Sequence, residues 1–167
     1  MWIGSLRLRV RTKARPEAGT DNLVTVGLLR DGNEVAKLRL DHRYQDDLEP
    51  GVSQNFTFTG PSSLPRSHDR PPMNEGTSRK PVYPPYGIEF SQGCKGHLAL
   101  QATIHGDDLW IKDSVELFVR EIRPSIHADG TVTWVESSEW TPVARWGKDA
   151  PISGDKREGT RTWTMAA

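Results

Sequence analysis

Apolar and polar side chains alternate with a period of two in nearly every ordered-looking stretch of this sequence. The segment SLRLRVRT, residues 5–12, is the clearest case. In an extended chain, successive side chains point to opposite faces. One face then carries three apolar residues and the other three arginines: Leu6, Leu8 and Val10 against Arg7, Arg9 and Arg11. This pattern predicts a strand that is buried on one face and solvated on the other.

Further segments repeat the pattern and are separated by turn signals. Their predicted inward residues are Val24, Val26, Leu28, Ala36, Leu38, Leu40, Phe56, Phe58, Leu98, Leu100, Ala102, Ile104, Val115, Leu117 and Val119. Asp31-Gly32-Asn33 predicts a hairpin turn between two of the strands. No window of eleven or more residues has helical spacing together with end caps. Seven or eight short strands of this kind indicate an all-β sandwich.

Two segments do not follow the alternation. Residues 60–92 hold seven of the twelve prolines, and proline cannot donate to a central ladder. We interpret these residues as a proline-rich loop insertion within a single sandwich domain of residues 1–150. The polar segment 151–167 is predicted to be a loosely held C-terminal tail.

Charge and cysteine content exclude several classes of protein. Lys plus Arg and Asp plus Glu each number 22, so there is no net positive charge to attract nucleic acid. The single cysteine, Cys94, excludes an intramolecular disulfide framework. No signal peptide and no apolar run long enough to span a bilayer is visible. We therefore expect a cytoplasmic protein without a transmembrane segment, whose membrane contact, if it has any, is peripheral.

Three short matches occur in a characteristic order. They are AGTDNLVTVGLL at 18–29, DDLEPGVSQNFTF at 46–58 and HLALQATIHGDDLWIKDSVELFV at 97–119, followed by Trp140 in SSEWTP. In order and spacing they resemble the PLAT domain, also called the lipoxygenase homology or LH2 domain. Two departures are the 60–92 insertion, where the family has a short connection, and Pro50, which replaces a common basic residue.

The resemblance implies an eight-stranded antiparallel β-sandwich that is not itself catalytic. PLAT domains attach lipases, lipoxygenases and other proteins to lipid surfaces or protein partners, and several of them bind calcium at one end. We therefore expect a non-catalytic binding module for a lipid surface or a protein partner.

The acidic loops are the candidate metal site. Calcium takes six to eight oxygen ligands, which flexible loops supply well. Under the PLAT topology, the loops around 18–22 and 105–109 would lie at one end of the sandwich, so Asp21, Asn22, Asp107 and Asp108 are the predicted ligands of calcium. The alternative is that these residues form solvated turns, because Asp and Asn bond the local backbone.

The tryptophans separate two hypotheses. Trp110 leads into a strand and is expected in the core. Trp134, Trp140 and Trp146 would indicate a carbohydrate-binding sandwich if they were exposed in a coplanar row, and core packing otherwise.

The proline-rich insertion contains the candidate residues for contact with a membrane or partner. Tyr83 and Tyr86 supply aromatic rings, and Arg79 and Lys80 supply charges for anionic headgroups. The same segment is also compatible with an extended interaction arm or a flexible loop.

Little in the sequence supports an enzyme. Cys94 and His97 are three residues apart, but proximity in sequence does not establish a nucleophile and base. The five histidines show no paired metal-ligand spacing. A third hypothesis is an enzyme or assembly component in which the 60–92 insertion closes a pocket or docks on a partner.

Overall fold

The described residues form ten β-strands, and they contain no helix that could span a bilayer. The structure is a computed structural model, and it describes residues 2–41, 46–59, 98–147, 149–157 and 162–166. The strands are Trp2–Thr12 (β1), Leu23–Arg30 (β2), Asn33–Arg39 (β3), Ser53–Thr59 (β4), Leu98–His105 (β5), Leu109–Ile126 (β6), Val132–Glu136 (β7), Thr141–Trp146 (β8), Ala150–Ser153 (β9) and Thr162–Ala166 (β10).

The first sheet, sheet A, is organised around the long strand β6. Strand β1 pairs with one edge of β6, and β4 pairs with the far side of β1. Along the other edge of β6, three short strands follow one another: β9 pairs near its start, β8 at its middle and β7 at its end. Every one of these pairings is antiparallel.

The second sheet, sheet B, has the strand order β10-β5-β2-β3 and is also antiparallel. Its hairpin β2–β3 turns at Asp31 and Gly32, whose φ angles are 51° and 80°. Tight two-residue hairpins need positive φ at both central positions, and Asp and Gly tolerate this conformation. The predicted hairpin turn is confirmed.

The two sheets pack face to face around one apolar core. All of the inward residues predicted from the alternation in β1, β2, β3, β4, β5 and β6 are buried, among them Phe56 and Phe58 at 0 % exposure. The predicted all-β sandwich is therefore confirmed, because the period-two pattern places one face of each strand against the opposite sheet.

The strand count and the tail differ from the predictions. Eight strands were expected, and the described residues form ten. Two of the ten lie wholly or mostly in the segment predicted to be a loosely held tail: β9 pairs with β6, and β10 pairs with β5 at the edge of sheet B. Ile152 of β9 is fully buried. These strands have only four and five residues, which is too short for the alternation alone to predict them, and backbone pairing at open sheet edges defines them.

The proline-rich insertion at 60–92 lies outside the described residues. This holds for the predicted contact residues Tyr83, Tyr86, Arg79 and Lys80, and also for Cys94 and His97.

Candidate functional site

An acidic cleft with a volume of about 380 Å³ lies at the end of sheet B where β2 begins and β3 ends. Its polar walls come from the loop before β2, the second residue after β3 and the loop that leads to β4. These residues are Thr20, Asp21, Asn22, Asp41, Asp46 and Asp47. Antiparallel pairing of β2 with β3 brings the start of one strand beside the end of the other, which places Asp21 near Asp41.

Gln54 of β4 holds the acidic loop in place. Its side-chain oxygen accepts a hydrogen bond from the backbone N–H of Leu48 at 2.5 Å, and its Nε2 donates to Asp47 Oδ1 at 3.0 Å. Leu48 is buried and has a φ of 61°, which is unusual for a residue with a branched side chain. The clamp by Gln54 and the burial of Leu48 therefore stabilise the turn that presents Asp46 and Asp47 to the cleft.

The four predicted metal ligands divide between two neighbouring loops. Asp21 and Asn22 line the cleft. Leu23 pairs with His105, so the 105–109 loop lies next to them, and the Asn22 side chain leaves no room for a Cβ at Gly106.

Asp107 and Asp108 are exposed on that second loop and are not among the residues that line the cleft. Asp108 Oδ1 accepts a hydrogen bond from the backbone N–H of Leu109 at 2.9 Å, which is the local hydrogen bond that the solvated-turn alternative predicts. The loops adjoin as expected, but the carboxylates that face Asp21 across the cleft come from Asp41, Asp46 and Asp47.

The donor chemistry of the cleft is suitable for calcium, since every polar side chain around it offers oxygen. Two of its carboxylates already have partners: Asp41 accepts from Arg39 Nη2 at 2.8 Å, and Asp47 accepts from Gln54. Within the described ranges, no three His, Cys, Asp or Glu residues are grouped to hold one metal ion. The calcium site therefore stays a prediction.

His105 has a different neighbour from the acidic residues that follow it. Its Nε2 lies 3.0 Å from the hydroxyl of Thr25 across the β2–β5 pair. The hydroxyl of Thr25 and this ring nitrogen therefore satisfy one another.

A second feature, on the outer surface of sheet A, was only partly visible in the sequence. Five arginines from three adjacent strands lie there with two aromatic rings. We call this surface the arginine face, and its members are Arg7, Arg9, Arg11, Arg120, Arg145, Phe118 and Trp140. The register explains the grouping, because Arg7 pairs with Phe118, Arg9 with Glu116, and Glu116 in turn with Arg145.

Guanidinium groups cover both aromatic rings of the arginine face. The Cζ atoms of Arg7 and Arg120 lie 4.0 Å and 4.6 Å from the centroid of the Trp140 ring. Arg9 Cζ lies 4.9 Å from the centroid of Phe118. Cations at these distances are attracted by the negative faces of aromatic rings. The rings therefore fix the orientation of the guanidinium groups.

Carboxylates neutralise most, but not all, of the arginine face. Glu116 lies 3.2 Å from Arg9 and 3.7 Å from Arg145, Asp113 lies 3.2 Å from Arg11, and Glu136 lies 3.7 Å from Arg120. Among the described residues, five guanidinium groups and three carboxylates on this surface leave an excess of two positive charges.

Arg7 is the member of the arginine face that lacks an acidic partner among the described residues. Its Nε donates to the hydroxyl of Thr57 at 3.2 Å. Partial burial, followed by repulsion from Arg120 and Arg9, lowers the pKa of Arg7. The chain therefore keeps a half-buried guanidinium group among like charges.

The three tryptophans whose side chains the structure describes, Trp110, Trp140 and Trp146, do not form the exposed row that a sugar-binding surface would need. Trp110 is fully buried and its Nε1 donates to Thr12 Oγ1 at 3.1 Å, which confirms its predicted place in the core. Trp146 is also buried, and the ring of Trp140 lies under Arg7 and Arg120. Trp134 lies in β7, and its side chain is outside the described part of the structure.

Comparison with known proteins leaves the arginine face and the cleft to be interpreted on their own chemistry. A scan against protein-family models and a search of curated proteins gave no match to this chain. The alternation in the sequence places Arg7, Arg9 and Arg11 on one face, but it does not predict that Arg120 and Arg145 join them or that the Trp140 ring lies under Arg7 and Arg120. Only the pairing register of β6 and β8 brings these residues together.

Proposed function

We propose that this chain is a non-catalytic binding module that associates with an anionic lipid surface or an acidic protein partner through the arginine face. The observation that carries the proposal is the excess of two positive charges on that face. Clustered arginines attract the phosphates of anionic lipids and the carboxylates of acidic proteins. The resemblance to PLAT domains supports the same kind of role.

The shape of the arginine face is suitable for a broad partner. Strands β1, β6 and β8 lie side by side, so the face is about 10 Å wide from the first to the last of these strands. Alternate residues on β1 are about 7 Å apart, which spaces Arg7, Arg9 and Arg11 along the strand. A surface with several separate cations can contact several anionic groups at once.

Cosedimentation with vesicles tests this proposal. We expect the protein to pellet with vesicles that contain phosphatidylserine and to stay in solution with neutral phosphatidylcholine vesicles. Exposed charges are screened over about 8 Å at physiological ionic strength, so binding should weaken as salt is added. The double variant Arg11→Glu/Arg145→Glu should reduce vesicle binding by about tenfold or more, because each added charge near the surface contributes about 1 kcal/mol.

The control is Lys37→Glu, which makes the same kind of charge change at an exposed position of β3 in sheet B. It should bind vesicles much as the wild type does. Equal losses in the two variants would mean that net charge, and not the arginine face, determines association. Binding to neither kind of vesicle would leave an acidic protein as the partner to seek.

Calcium is the second proposed component, and calorimetry tests it. If the cleft binds calcium, titration should give heat in a roughly millimolar range, which is typical of weak calcium modules. Removing one carboxylate in Asp21→Asn should weaken binding by about tenfold, because affinity depends on the number of charged ligands.

Two further variants locate the site. Asp108→Asn should leave the calcium affinity unchanged if the cleft is the site, and should weaken it if the ligands are those predicted from sequence. Asp31→Asn at the β2–β3 turn is the matched control, since Asn also tolerates positive φ. A flat titration, with no thermal stabilisation at millimolar calcium, would end the calcium proposal.

A further inference from the structure

The position of Arg7 indicates a specific subsite within the arginine face. Arg7 projects from β1, which lies between β4 and β6 in sheet A, and is held by two contacts: the cation–π contact with Trp140 and the hydrogen bond from Nε to Thr57. A guanidinium group carries five N–H donors in a fixed fork. The hydrogen bond to Thr57 uses one of these donors, and the contact with Trp140 places Cζ 4.0 Å from the centroid of the ring.

An uncompensated, partly buried charge costs free energy unless an opposite charge approaches it. The other arginines of the face have carboxylates at 3.2 to 3.7 Å, whereas Arg7 is flanked by Arg9 and Arg120. Their repulsion adds to the cost of burial. This cost would be relieved by an external anion placed at Arg7.

The polar residues of β4 beside Arg7 are compatible with such an anion. Thr57 pairs with Arg7 and is partly exposed, and Asn55 pairs with Arg9 and is exposed. Their hydroxyl and amide groups can donate hydrogen bonds. On the other side of Arg7, Glu136 accepts a hydrogen bond from Ser5 and lies 3.7 Å from Arg120, which holds Arg120 close to the Trp140 stack.

The magnitude of the excess charge selects among anions. A phosphomonoester carries about −1.5 to −2 charges at neutral pH and three acceptor oxygens. This charge matches the excess of two on the arginine face, and bidentate contact between arginine and phosphate favours it further. A carboxylate or a phosphodiester carries only one negative charge and would leave part of the excess uncompensated.

We propose that Arg7 is the centre of a phosphomonoester-binding subsite, flanked by Arg9 and Arg120, that takes the headgroup of a lipid such as phosphatidic acid. This inference rests on the proposed function, since it names the lipid group that the arginine face recognises. Arg11 and Arg145 add attraction of longer range, whereas Arg7 supplies the preference for one headgroup over another.

The test compares two vesicle types of equal surface charge, one with phosphatidic acid and one with phosphatidylserine. We expect the wild type to bind the phosphatidic acid vesicles about tenfold more tightly, which corresponds to one good charge-assisted contact. Arg7→Gln should reduce this ratio to about one. Arg11→Gln, on the same strand and face, should weaken binding to both vesicles while the ratio stays near ten.

Thermal unfolding of each variant establishes that loss of the ratio does not come from loss of the fold, and Arg7→Lys keeps the charge without the fork. If Arg7→Lys restores affinity for both vesicles but not the preference, the fork geometry is the cause. Equal binding of the wild type to both vesicles, or an unchanged ratio in Arg7→Gln, overturns the subsite and leaves the proposed function standing. Binding to neither vesicle overturns the subsite together with association with lipid.

Discussion

Replacing Lys112 by methionine is expected to raise the free energy of unfolding at pH 7 by roughly 1–3 kcal/mol, because the change removes a buried charge of similar length. Lys112 is fully buried in β6, and its Nζ lies 3.5 Å from the carbonyl oxygen of Trp146. Burial lowers the pKa of Lys112 to about 8, although the nearby carboxylates of Asp149 and Asp113 favour the charged form.

The gain in stability should depend on pH in a defined direction. Below about pH 8, Lys112 carries its charge in both states, and the folded state bears the full cost of burying it. From pH 8 to the ordinary lysine pKa of 10.5, the folded state loses this proton before the unfolded state does, so the wild type gains stability as pH rises. The difference between Lys112→Met and the wild type should therefore shrink over this interval.

Urea denaturation at a series of pH values measures the difference. Lys156→Met is the matched control, because Lys156 is exposed and its replacement should change stability by less than about 0.5 kcal/mol at every pH. Two results together would contradict the destabilising effect of the buried Lys112 charge. Lys112→Met would be less stable than the wild type at pH 7, and the difference in the free energy of unfolding would stay constant up to pH 10.5.

Lys112 also shows where alternation stops predicting the structure. The inward residues of β6 are even-numbered at Trp110 and Lys112 and odd-numbered from Val115 to Val119. The change coincides with an irregularity in the register between β1 and β6 at Arg11 and Thr12. A bulge inserts a residue into one strand and shifts the faces of those that follow, so a strict period of two cannot foresee it.

The alternation predicts most strands of the sandwich, but it does not predict the short strands β9 and β10. The buried faces of β2 and β5 are the residues that alternation predicts, because both strands lie inside sheet B with one face on the core. In contrast, β9 and β10 have only four and five residues, and backbone pairing with β6 and β5 defines their positions. The residue types of a short strand do not indicate which distant strand it pairs with.

The two candidate sites differ in the same way. The acidic cleft was foreseen in part, since Asp21 and Asn22 sit in a loop whose oxygen-rich composition is visible in the sequence. Asp41 was missed, because it enters the cleft only through the pairing of β2 with β3. The arginine face depends on the joint register of β1, β6 and β8, which places Arg7 on one surface with Arg120 and Arg145 although Arg7 is more than a hundred residues from both.

Replacing Trp110 by alanine is expected to lower the free energy of unfolding by about 3–5 kcal/mol, the usual cost of removing a large buried ring. Trp110 is fully buried in the described core, where β6 packs beside β1 and β9. Trp140→Ala is the control, because the Trp140 ring is half-buried on the outer face and its loss removes two cation–π contacts worth about 0.5–1 kcal/mol each. Equal losses in both variants, measured by urea denaturation, would contradict the central position of Trp110.

A double-mutant cycle separates the hydrogen bond of Trp110 from its packing. Trp110→Phe keeps a ring in the core but leaves the buried hydroxyl of Thr12 without its donor, which should cost about 1–3 kcal/mol. Thr12→Val removes the hydroxyl and leaves the indole N–H unpaired. Because each single variant strands one buried polar group and the double variant strands neither, the two losses should not add, and the coupling should be about 1 kcal/mol or more. Strict additivity would show that packing alone, without the Trp110–Thr12 hydrogen bond, fixes the start of β6 against β1.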